Sequence, residues 1–331
     1  MKSLSLLRLV VAASAAALMS SCAATASTPE RTGRLVIIGG SLGDNEAIYD
    51  RMIEYAGTEP SIGILPTASG VPEESGPYYV EAFDDRIGAE VTELIDIPYN
   101  QPENAKSIEI AAAMGEKTML FFTGGDQSRI TAAFLPDDAA TPAYDACWDV
   151  LAAGGTIAGT SAGAAMMSDP MLRWGPSDEA LLIGMPDVPD RGVGVGRGMG
   201  FFPYGLTGQH FLRRGRAGRM IAALEYASVP RGFGIADSRA IDVDLATGQI
   251  EAIGGERAVL MIDVSDATKD GLARENIRLS LLNDGDLVDG QTGEVTPSPR
   301  MTPVPEDIVG LTVLIEEPDA WDRDVFAKVM E

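Results

Sequence analysis

The feature that most constrains the fold of this chain is a repeated alternation of short strand-like runs with stretches of helical spacing. The strand-like runs, of which the first is apolar and ends in a glycine pair, are residues 34–38, 61–65, 91–97, 118–122 and 155–159. The stretches of helical spacing are residues 45–55, 79–87, 108–114, 128–134 and 142–153. Such an alternation is typical of buried parallel strands joined by helical crossovers. The sequence therefore predicts an α/β fold with a doubly wound, mostly parallel sheet flanked by helices.

The pattern changes from about residue 233. Further strand-like runs follow one another with turns between them, at residues 240–243, 249–253, 258–264 and 277–282. Because successive strands joined by turns pair antiparallel, we expect these runs to extend the same sheet. We predict one catalytic α/β domain over residues 34–331, with a β-rich C-terminal extension from about residue 265.

The first residues have the features of an export signal. Basic residues precede an apolar run at residues 9–19, which is too short to span a bilayer as a permanent helix. The run leads into Met-Ser-Ser-Cys, which resembles a bacterial lipobox with Cys22 as the lipidated residue. We expect a lipoprotein-type signal peptide at residues 1–22, a linker at residues 23–33, and an exported protein, periplasmic or extracellular, that meets the membrane only through its lipid anchor. Ordinary signal-peptidase cleavage after the Ala-rich stretch is the alternative.

Charge and rare residues narrow the classes of partner and site. The 331 residues include 49 acidic and 25 basic ones, and the net charge of −24 disfavours nucleic acid as a partner. His210 is the only histidine, which excludes metal sites that need two histidine ligands. The two cysteines, Cys22 and Cys147, suggest neither a disulfide framework nor a metal site.

The segment Gly-Thr-Ser-Ala-Gly at residues 159–163 lies where a predicted strand turns into a helix. A nucleophilic serine needs such a turn, because small neighbours and a strained backbone expose its Oγ above the sheet. The N–H of Ala162, at the start of the helix, can then face a developing oxyanion. A glycine turn of this kind can also be purely structural, but the strand before it and the Ala-rich stretch after it favour Ser161 as a nucleophile.

A serine nucleophile needs a base, which is usually histidine, and His210 is the only one that this chain offers. It stands in a polar, basic segment at residues 208–219, whose arginines could alternatively pair with surface carboxylates. An acid must also orient the base. Asp237, which follows a short apolar run, is one candidate. The alternatives are Asp187, Asp190 and Asp242.

A third segment follows the strand predicted at residues 118–122 and contains Gly124, Gly125 and Gln127. It lies at the carboxyl edge of the sheet, where folds of this class bind ligands. An N–H of either glycine could complete an oxyanion hole with that of Ala162, and Gln127 could contact a polar group of a substrate. The alternative is a plain turn in which Asp126 caps the next helix.

Four segments together resemble the cyanophycinase and peptidase E family of serine peptidases, peptidase family S51. The resemblance extends from about residue 34 to about residue 264 and implies a class I glutamine amidotransferase-like fold. The segments that carry it are Phe122-Thr123-Gly124-Gly125-Asp126-Gln127, Gly159-Thr160-Ser161-Ala162-Gly163-Ala164, Gln209-His210-Phe211 with Arg214, Arg216 and Arg219, and Gly232-Phe233-Gly234-Ile235. The Gln-His-Phe segment with its three arginines is typical of the cyanophycinase branch.

The resemblance implies a triad in the chain order serine, histidine, acid, which differs from the order in α/β-hydrolases. Carried over, Ser161 is the nucleophile, His210 the base and Asp237 the acid. The family usually has glutamate at the acid position, and cyanophycinases usually have aspartate where this chain has Gly208. Because that aspartate belongs to the substrate pocket, its absence bears on the choice of substrate more than on the peptidase chemistry.

The resemblance further implies hydrolysis of an aspartyl or β-aspartyl bond through an acyl-enzyme, with no metal or organic cofactor. For a cyanophycinase, the substrate is a poly-aspartate backbone that bears β-linked arginines, and the product is β-Asp-Arg. The implied partner is therefore a peptide or a cyanophycin-like polymer, and members of the family are often homodimers. The residues expected to contact substrate are Gln127, Gln209, Arg214, Arg216 and Arg219.

Three rival functions stay open. An esterase or amidase on a similar sheet would use the same serine and histidine. A non-catalytic, lipid-anchored binding protein would accommodate the departures at residues 208 and 237. A glutamine amidotransferase would need a cysteine in the turn where Ser161 stands, and Cys147 lies well upstream in a predicted helix.

Overall fold

The computed structural model of the protein describes residues 32–184, 192–255, 259–271 and 273–299. Cys22, the predicted signal peptide, Asp187 and Asp190 lie outside the described residues. The strands are β1 (Arg34–Ile38), β2 (Ile62–Leu65), β3 (Thr92–Leu94), β4 (Met119–Phe122), β5 (Thr156–Thr160), β6 (Met171–Trp174), β7 (Gly194–Gly196), β8 (Leu206–Gly208), β9 (Arg231–Ile235), β10 (Ala240–Asp244), β11 (Gln249–Ile253), β12 (Val259–Asp263), β13 (Thr268–Asp270), β14 (Ala273–Glu275), β15 (Arg278–Leu282), β16 (Leu287–Asp289) and β17 (Val295–Thr296). The helices are α1 (Glu46–Ala56), α2 (Pro72–Ile87), α3 (Ile108–Gly115), α4 (Gln127–Phe134), α5 (Pro142–Ala152), α6 (Ala162–Ala165), α7 (Ser177–Ile183) and α8 (Ala217–Ala227), with short 3-10 helices at Pro102–Lys106 and Pro136–Asp138.

The largest sheet has nine strands in the order β17-β16-β11-β10-β1-β5-β4-β2-β3. From β1 to β3 the neighbouring strands are parallel, and β10, β11, β16 and β17 form an antiparallel side. Side chains of β1 alternate between two cores: Leu35 packs in the core with α3, α4 and α5, and Val36 packs in the core with α1 and α2. Because β1, β5, β4 and β2 are covered on both faces, almost all of their residues are buried, and most of these residues are apolar or small. The predicted α/β fold with a sheet flanked by helices is confirmed.

The strands near the C-terminus divide between two sheets, so the prediction that all of them extend the main sheet is wrong. β10 and β11 do extend it, but β12 and β15 belong to a second sheet in the order β15-β12-β9-β8. The reason is that β12 is almost wholly buried and finds a partner on each side, β9 on one and β15 on the other. β8 and β9 are parallel neighbours. The segments that follow them therefore emerge side by side, and these segments carry His210 and Asp237.

The helices differ from the predicted ones mainly where their sequences are polar or glycine-rich. α2 begins at Pro72, well before the predicted start at residue 79. Its first turn is polar with proline at its start, so it lacks the apolar periodicity from which a helix is predicted. α7 and α8 were not predicted. Asp126 does cap α4, since its carboxylate accepts the N–H of Ser128 at 2.8 Å. Among the described residues, no helix has both the length and the apolar character needed to cross a bilayer.

Asp242 belongs to a buried ion cluster rather than to the surroundings of His210. Its carboxylate is 3% exposed and contacts the guanidinium groups of Arg34 and Arg51 and the hydroxyl of Tyr55. We expect Asp242→Ala to lower the free energy of unfolding by about 3 kcal/mol, because it leaves partly buried charges without their shared partner. Glu251→Ala, which removes a more exposed partner of Arg51, should lower it by less than about 1 kcal/mol. Urea titration of both variants tests this, and equal losses would contradict it.

Candidate active site

The site is built on the turn from β5 into α6, at the carboxyl edge of the parallel strands. Ser161 occupies the turn with φ 54° and ψ −106°, a conformation that a residue with a side chain adopts only when its surroundings impose it. Its N–H donates to the carbonyl of Ile38 at 3.0 Å, and its carbonyl accepts the N–H groups of Ala164 and Ala165 at 3.0 Å. These bonds hold the strained turn that a nucleophilic serine requires.

Close packing explains the two glycines of the turn. A Cβ on Gly163 would overlap the carbonyl oxygen of Phe122 at the end of β4, and a Cβ on Gly159 would press against the backbone of Gly163. Only glycine at both positions lets β5, the turn and α6 approach so closely. The glycines therefore place Ser161 directly above the sheet.

His210 lies beside Ser161, with 2.8 Å between its Nε2 and the serine Oγ. It follows β8 with a positive φ of 47°, and its N–H donates to the carbonyl of Gly39 at 2.6 Å. Gly40 lies against the imidazole, where a Cβ would overlap the ring. The ring of the next residue, Phe211, is buried and packs against Gly234, where a Cβ would overlap the ring. The segment that carries the histidine is therefore held on two sides.

Asp237 lies on the far side of the imidazole, where its Oδ1 accepts a hydrogen bond from Nδ1 of His210. The adjacent Ser238 donates its N–H to the carbonyl of Gly40 at 2.7 Å, and its carbonyl accepts Nδ2 of Asn45 at 2.9 Å. With Nδ1–H donated to the carboxylate, the lone pair of Nε2 faces the serine hydroxyl. This is the arrangement that a Ser-His-Asp triad requires.

Donors for an oxyanion lie on the other side of the serine. A Cβ on Gly124 would lie 3.3 Å from Cβ of Ser161, so this backbone passes directly beside the nucleophile. Within the described part of the chain, the N–H groups of Gly124, Gly125 and Ala162 have no acceptor. Backbone N–H groups that lack an acceptor and belong to segments next to the nucleophile are the kind of donor that an oxyanion hole requires.

Three arginines of the segment after His210 have no carboxylate partner within 4.0 Å among the described residues: Arg214, Arg216 and Arg219. Arg216 donates to the backbone carbonyl of Gln209 at 2.6 Å and to the side-chain oxygen of that residue. Arg219 is buried, and within the described part of the chain its guanidinium donates to the carbonyl of Gly175 alone, at 3.4 Å. Burial and the charges of the neighbouring arginines lower the pKa of Arg216 to about 9 and that of Arg219 to about 10. Arg214 is exposed beside them.

Comparison with known proteins places the chain in a family. The model of peptidase family S51 matches residues 35–246, which include Ser161, His210 and Asp237. The chain belongs to peptidase family S51. It is therefore a serine-type peptidase, and the predicted family is confirmed.

The relatives of this S51 peptidase include cyanophycinases. The chain is 30% identical over 276 residues to the cyanophycinase of Trichormus variabilis, across 78% of this chain and 86% of the relative. It is also 30% identical over 280 residues to the cyanophycinase of Synechococcus elongatus, across 80% of this chain and 81% of the relative. The crystal structure of a peptidase from an acI-B1 Actinobacterium has a similar fold, with a TM-score of 0.56 at 17% identity over 82% of this chain and 98% of that chain.

The glutamines predicted to contact substrate are buried in this S51 peptidase. Nε2 of Gln127 donates to the carbonyls of Leu172 and Arg173, at 2.9 and 2.8 Å. Its amide hydrogens are therefore used inside the protein, and a contact with substrate is left to its Oε1. Gln209 is 5% exposed, and its side-chain oxygen accepts Arg216. Both side chains therefore form hydrogen bonds within the protein, whereas Arg214 is exposed and Arg216 is half-buried.

Gly208 is packed rather than open in this S51 peptidase. A Cβ at this position would lie 2.8 Å from Cε of Met220 and 3.0 Å from the ring of Phe211. An aspartate side chain would have to displace these two groups. The site therefore lacks a carboxylate at the position where cyanophycinases are expected to have one.

Sequence reasoning missed the residues that hold the site from outside the four motifs. Asn45 donates Nδ2 to the carbonyls of Ser238 and Gly254, at 2.9 Å each, and so fixes the loop that carries Asp237. Gly40 makes room for the imidazole. The only available sign was that a Gly-Gly pair follows the first apolar run, and a pair of that kind is also common in plain turns.

The pH dependence of this S51 peptidase should reflect a lowered pKa of His210. Burial lowers this pKa, the Asp237 carboxylate opposes the shift, and the charges of Arg214 and Arg216 lower it further. A base must be neutral, so kcat/KM is lost as the pH falls through its pKa. We expect the acid limb of kcat/KM to lie below about pH 6.5, the ordinary histidine value. Arg214→Gln should move this limb to higher pH, and a limb well above that value in the unchanged protein would contradict the assignment.

Replacing the acid should lower kcat by a smaller factor than replacing the nucleophile or the base. Asp237 orients His210 and stabilises its charged form but takes no proton, so we expect Asp237→Ala to lower kcat by roughly 10⁴-fold. Asp237→Glu restores the usual acid of the family and should recover part of this loss. Steady-state kinetics measures both, with thermal unfolding as the control for fold. Asp237→Ala with unchanged kcat would show that another group orients the histidine.

Proposed function

We propose that this protein is an exported serine peptidase that hydrolyses aspartyl or β-aspartyl peptide bonds through an acyl-enzyme, with a cyanophycinase-like activity. The observation that carries the proposal is the placement of Arg214 and Arg216, without carboxylate partners, beside the contact between Ser161 and His210. Carboxylates are in large excess in a chain with a net charge of −24. Arginines left unpaired in such a chain are suited to the anionic group of a substrate.

The proposed reaction follows from the distances around Ser161. His210 Nε2 takes the hydroxyl proton as Oγ attacks the carbonyl carbon of the scissile bond. The carbonyl oxygen becomes an anion that the N–H groups of Gly124, Gly125 and Ala162 stabilise. Collapse of this intermediate breaks the C–N bond, the imidazolium gives its proton to the leaving amine, and the acyl group stays on Oγ as an ester. Water then attacks the ester with His210 again as base, which releases the acid and restores the serine.

The arginines select the substrate in this proposal. A β-aspartyl bond leaves a free α-carboxylate close to the scissile carbonyl. In a cyanophycin-like polymer, whose backbone bonds are cleaved, the free carboxylate is that of the β-linked arginine. We place this carboxylate at Arg214 and Arg216. Guanidinium groups bind carboxylates in a planar, bidentate geometry. A bound carboxylate also relieves the repulsion that lowers the pKa of Arg216. Substrate binding should therefore be strongest for molecules that carry this carboxylate.

The packing around Gly208 favours a second candidate, a peptidase for β-aspartyl peptides in general. A polymer that bears arginines offers a cationic group at every repeat, and an aspartate at position 208 would be a partner for such a group. Here Met220 and Phe211 fill that space. A site without a carboxylate at position 208 lacks this partner for an arginine of the substrate, so it should select less strongly for arginine.

A substrate panel tests the proposal and ranks the two candidates. The kcat/KM of the purified protein should be higher for β-aspartyl peptides than for short esters and for the same peptides with the free carboxylate amidated. Preference for short esters would instead indicate a general esterase. Within the panel, equal rates on β-Asp-Arg-containing and other β-aspartyl peptides would favour the second candidate.

Export and lipidation form a separate part of the proposal, supported by the sequence around Cys22 alone. An exported enzyme of this class would act on peptides or polymer outside the cytoplasm. Expression of the full chain in a bacterium should give a membrane-bound protein whose first residue is a lipid-modified Cys22. An unmodified N-terminus downstream of Cys22, determined by mass spectrometry, would refute the lipidation.

A further inference from the structure

One arginine that the proposed function does not use lies close to the oxyanion donors. Arg129 is in the first turn of α4, which begins two residues after Gly125. It is half-buried and, among the described residues, has no carboxylate within 4.0 Å. Like Arg216, it is therefore a positive charge without an ionic partner in a strongly acidic chain.

The side chain of Arg129 is held in place from two directions. One guanidinium nitrogen donates to the carbonyl of Ala68 at 3.0 Å, and the guanidinium carbon lies 4.3 Å from the centre of the Tyr99 ring. A guanidinium that lies over the face of an aromatic ring keeps its N–H groups in its own plane, where those not already bonded can donate to a ligand. Because its position is fixed in advance, binding a ligand would cost little side-chain entropy.

The guanidinium is connected to the nucleophile by a short series of backbone contacts. Ala68 presses against Gly125, where a Cβ would overlap the Ala68 carbonyl oxygen, and Gly124 lies beside Ser161. β5, β4 and β2 are successive neighbours, so the end of β2 is two strand spacings, roughly 10 Å, from the end of β5. His210 lies on the other side of Ser161, where it bonds to Gly39 after β1. Arg129 and the arginines near His210 thus lie on opposite sides of the nucleophile along the edge of the sheet.

We propose that Arg129 is a specificity-determining residue that binds a second carboxylate of an extended acidic peptide, on the side of Ser161 opposite to His210. This rests on the proposed function in that it takes an acidic peptide as the substrate class. An extended chain covers about 3.3 Å per residue, so the carboxylate belongs roughly two or three residues from the scissile bond. Minimal dipeptides do not reach Arg129, and longer acidic substrates bind more tightly because of it.

The test uses binding, so that it does not depend on turnover. Full-length Ser161→Ala is titrated by calorimetry with a peptide that has acidic residues on both sides of one β-aspartyl bond, and with the same peptide whose flanking acids are replaced by amides. The second protein carries Arg129→Gln in addition. We expect Arg129→Gln to weaken binding of the acidic peptide roughly 10- to 100-fold and to leave binding of the amide peptide unchanged. Arg129→Lys, which keeps the charge but loses the planar fork, should be intermediate.

A matched control separates a direct contact from a general effect of charge. Lys106 is exposed in the neighbouring 3-10 helix and has no ion pair among the described residues. Lys106→Gln removes the same charge and should leave binding of both peptides unchanged. Equal weakening of the acidic peptide by Lys106→Gln and Arg129→Gln would overturn the proposal.

The remaining outcomes separate this inference from the proposed function. Equal weakening of both peptides by Arg129→Gln would mean that Arg129 only supports the oxyanion loop, and the inference would be wrong. Binding of neither peptide to Ser161→Ala would also overturn it. If the acidic peptide binds through Arg129 but the protein with Ser161 intact cleaves no β-aspartyl peptide, the proposed function fails and the carboxylate site stands. Tyr99→Ala offers a second variant if Arg129→Gln does not fold, and it should weaken only the acidic peptide.

Discussion

Ser161→Ala should lower kcat by about 10⁶-fold and leave the fold unchanged. The variant removes the hydroxyl that lies 2.8 Å from His210 Nε2, so neither attack by Ser161 nor an acyl-enzyme at Ser161 can occur. The oxyanion donors and arginines remain, and substrate should still bind. Steady-state kinetics on a β-aspartyl peptide, with binding measured separately by calorimetry, tests both statements.

Two companion variants sharpen this prediction. Ser75→Ala removes a hydroxyl in α2 that has no hydrogen-bond partner among the described residues, and it should leave kcat unchanged. Ser161→Gly should be as inactive as Ser161→Ala but more stable than it, by about 1–2 kcal/mol, since glycine adopts the positive φ of this turn without strain. Near-normal turnover by Ser161→Ala would mean that the nucleophile has been assigned wrongly.

His210→Ala is the second variant with a very large expected effect, a fall in kcat of about 10⁵- to 10⁶-fold. Without the imidazole, the serine hydroxyl has no group to take its proton, and the leaving amine has no donor. The chain has no other histidine, so no second imidazole can substitute. Added imidazole should restore part of the activity, because removal of the ring leaves a space beside Gly40.

Chemical modification gives an independent check on the same residue. A histidine-specific acylating reagent has a single imidazole target in this protein. Inactivation should follow modification of His210 one for one, and a bound β-aspartyl peptide should protect against it. His210→Ala with near-normal kcat, or full activity after complete modification, would contradict a triad centred on His210.

Much of the fold and the centre of the site could be predicted because the relevant residues are local in sequence. Short strand-like runs revealed β1, β2, β4 and β5, and the glycines around Ser161 revealed the turn. His210 was found by elimination, as the only histidine. Each of these inferences uses residues that lie within about ten positions of one another or that are unique in the chain.

What could not be predicted depends on contacts between distant segments. β8 and β9 contain glycines against which Phe211 and Met220 pack, so their composition gave little sign of a strand. Without them, β12 and β15 could only be assigned to the main sheet. The choice of Asp237 over Asp242 likewise depends on tertiary contacts, since Asp242 forms ion pairs with Arg34 and Arg51.

The role of Arg129 illustrates the same limit. In the sequence, it is one basic residue in a helical stretch, and surface arginines usually pair with carboxylates. Its significance depends on Tyr99 and Ala68, which are about 30 and 60 residues away in the chain. Only the strand order places it across the nucleophile from His210.

Product analysis tests the central claim most directly. The purified protein and its Ser161→Ala variant are incubated in parallel with cyanophycin and with isoaspartyl dipeptides, and the products are identified by mass spectrometry. We predict cleavage at the aspartyl or β-aspartyl bonds by the unchanged protein and none by Ser161→Ala. Intact polymer and intact dipeptides after incubation with the unchanged protein, or equal cleavage by the variant, would contradict a peptidase that acts on these bonds through Ser161.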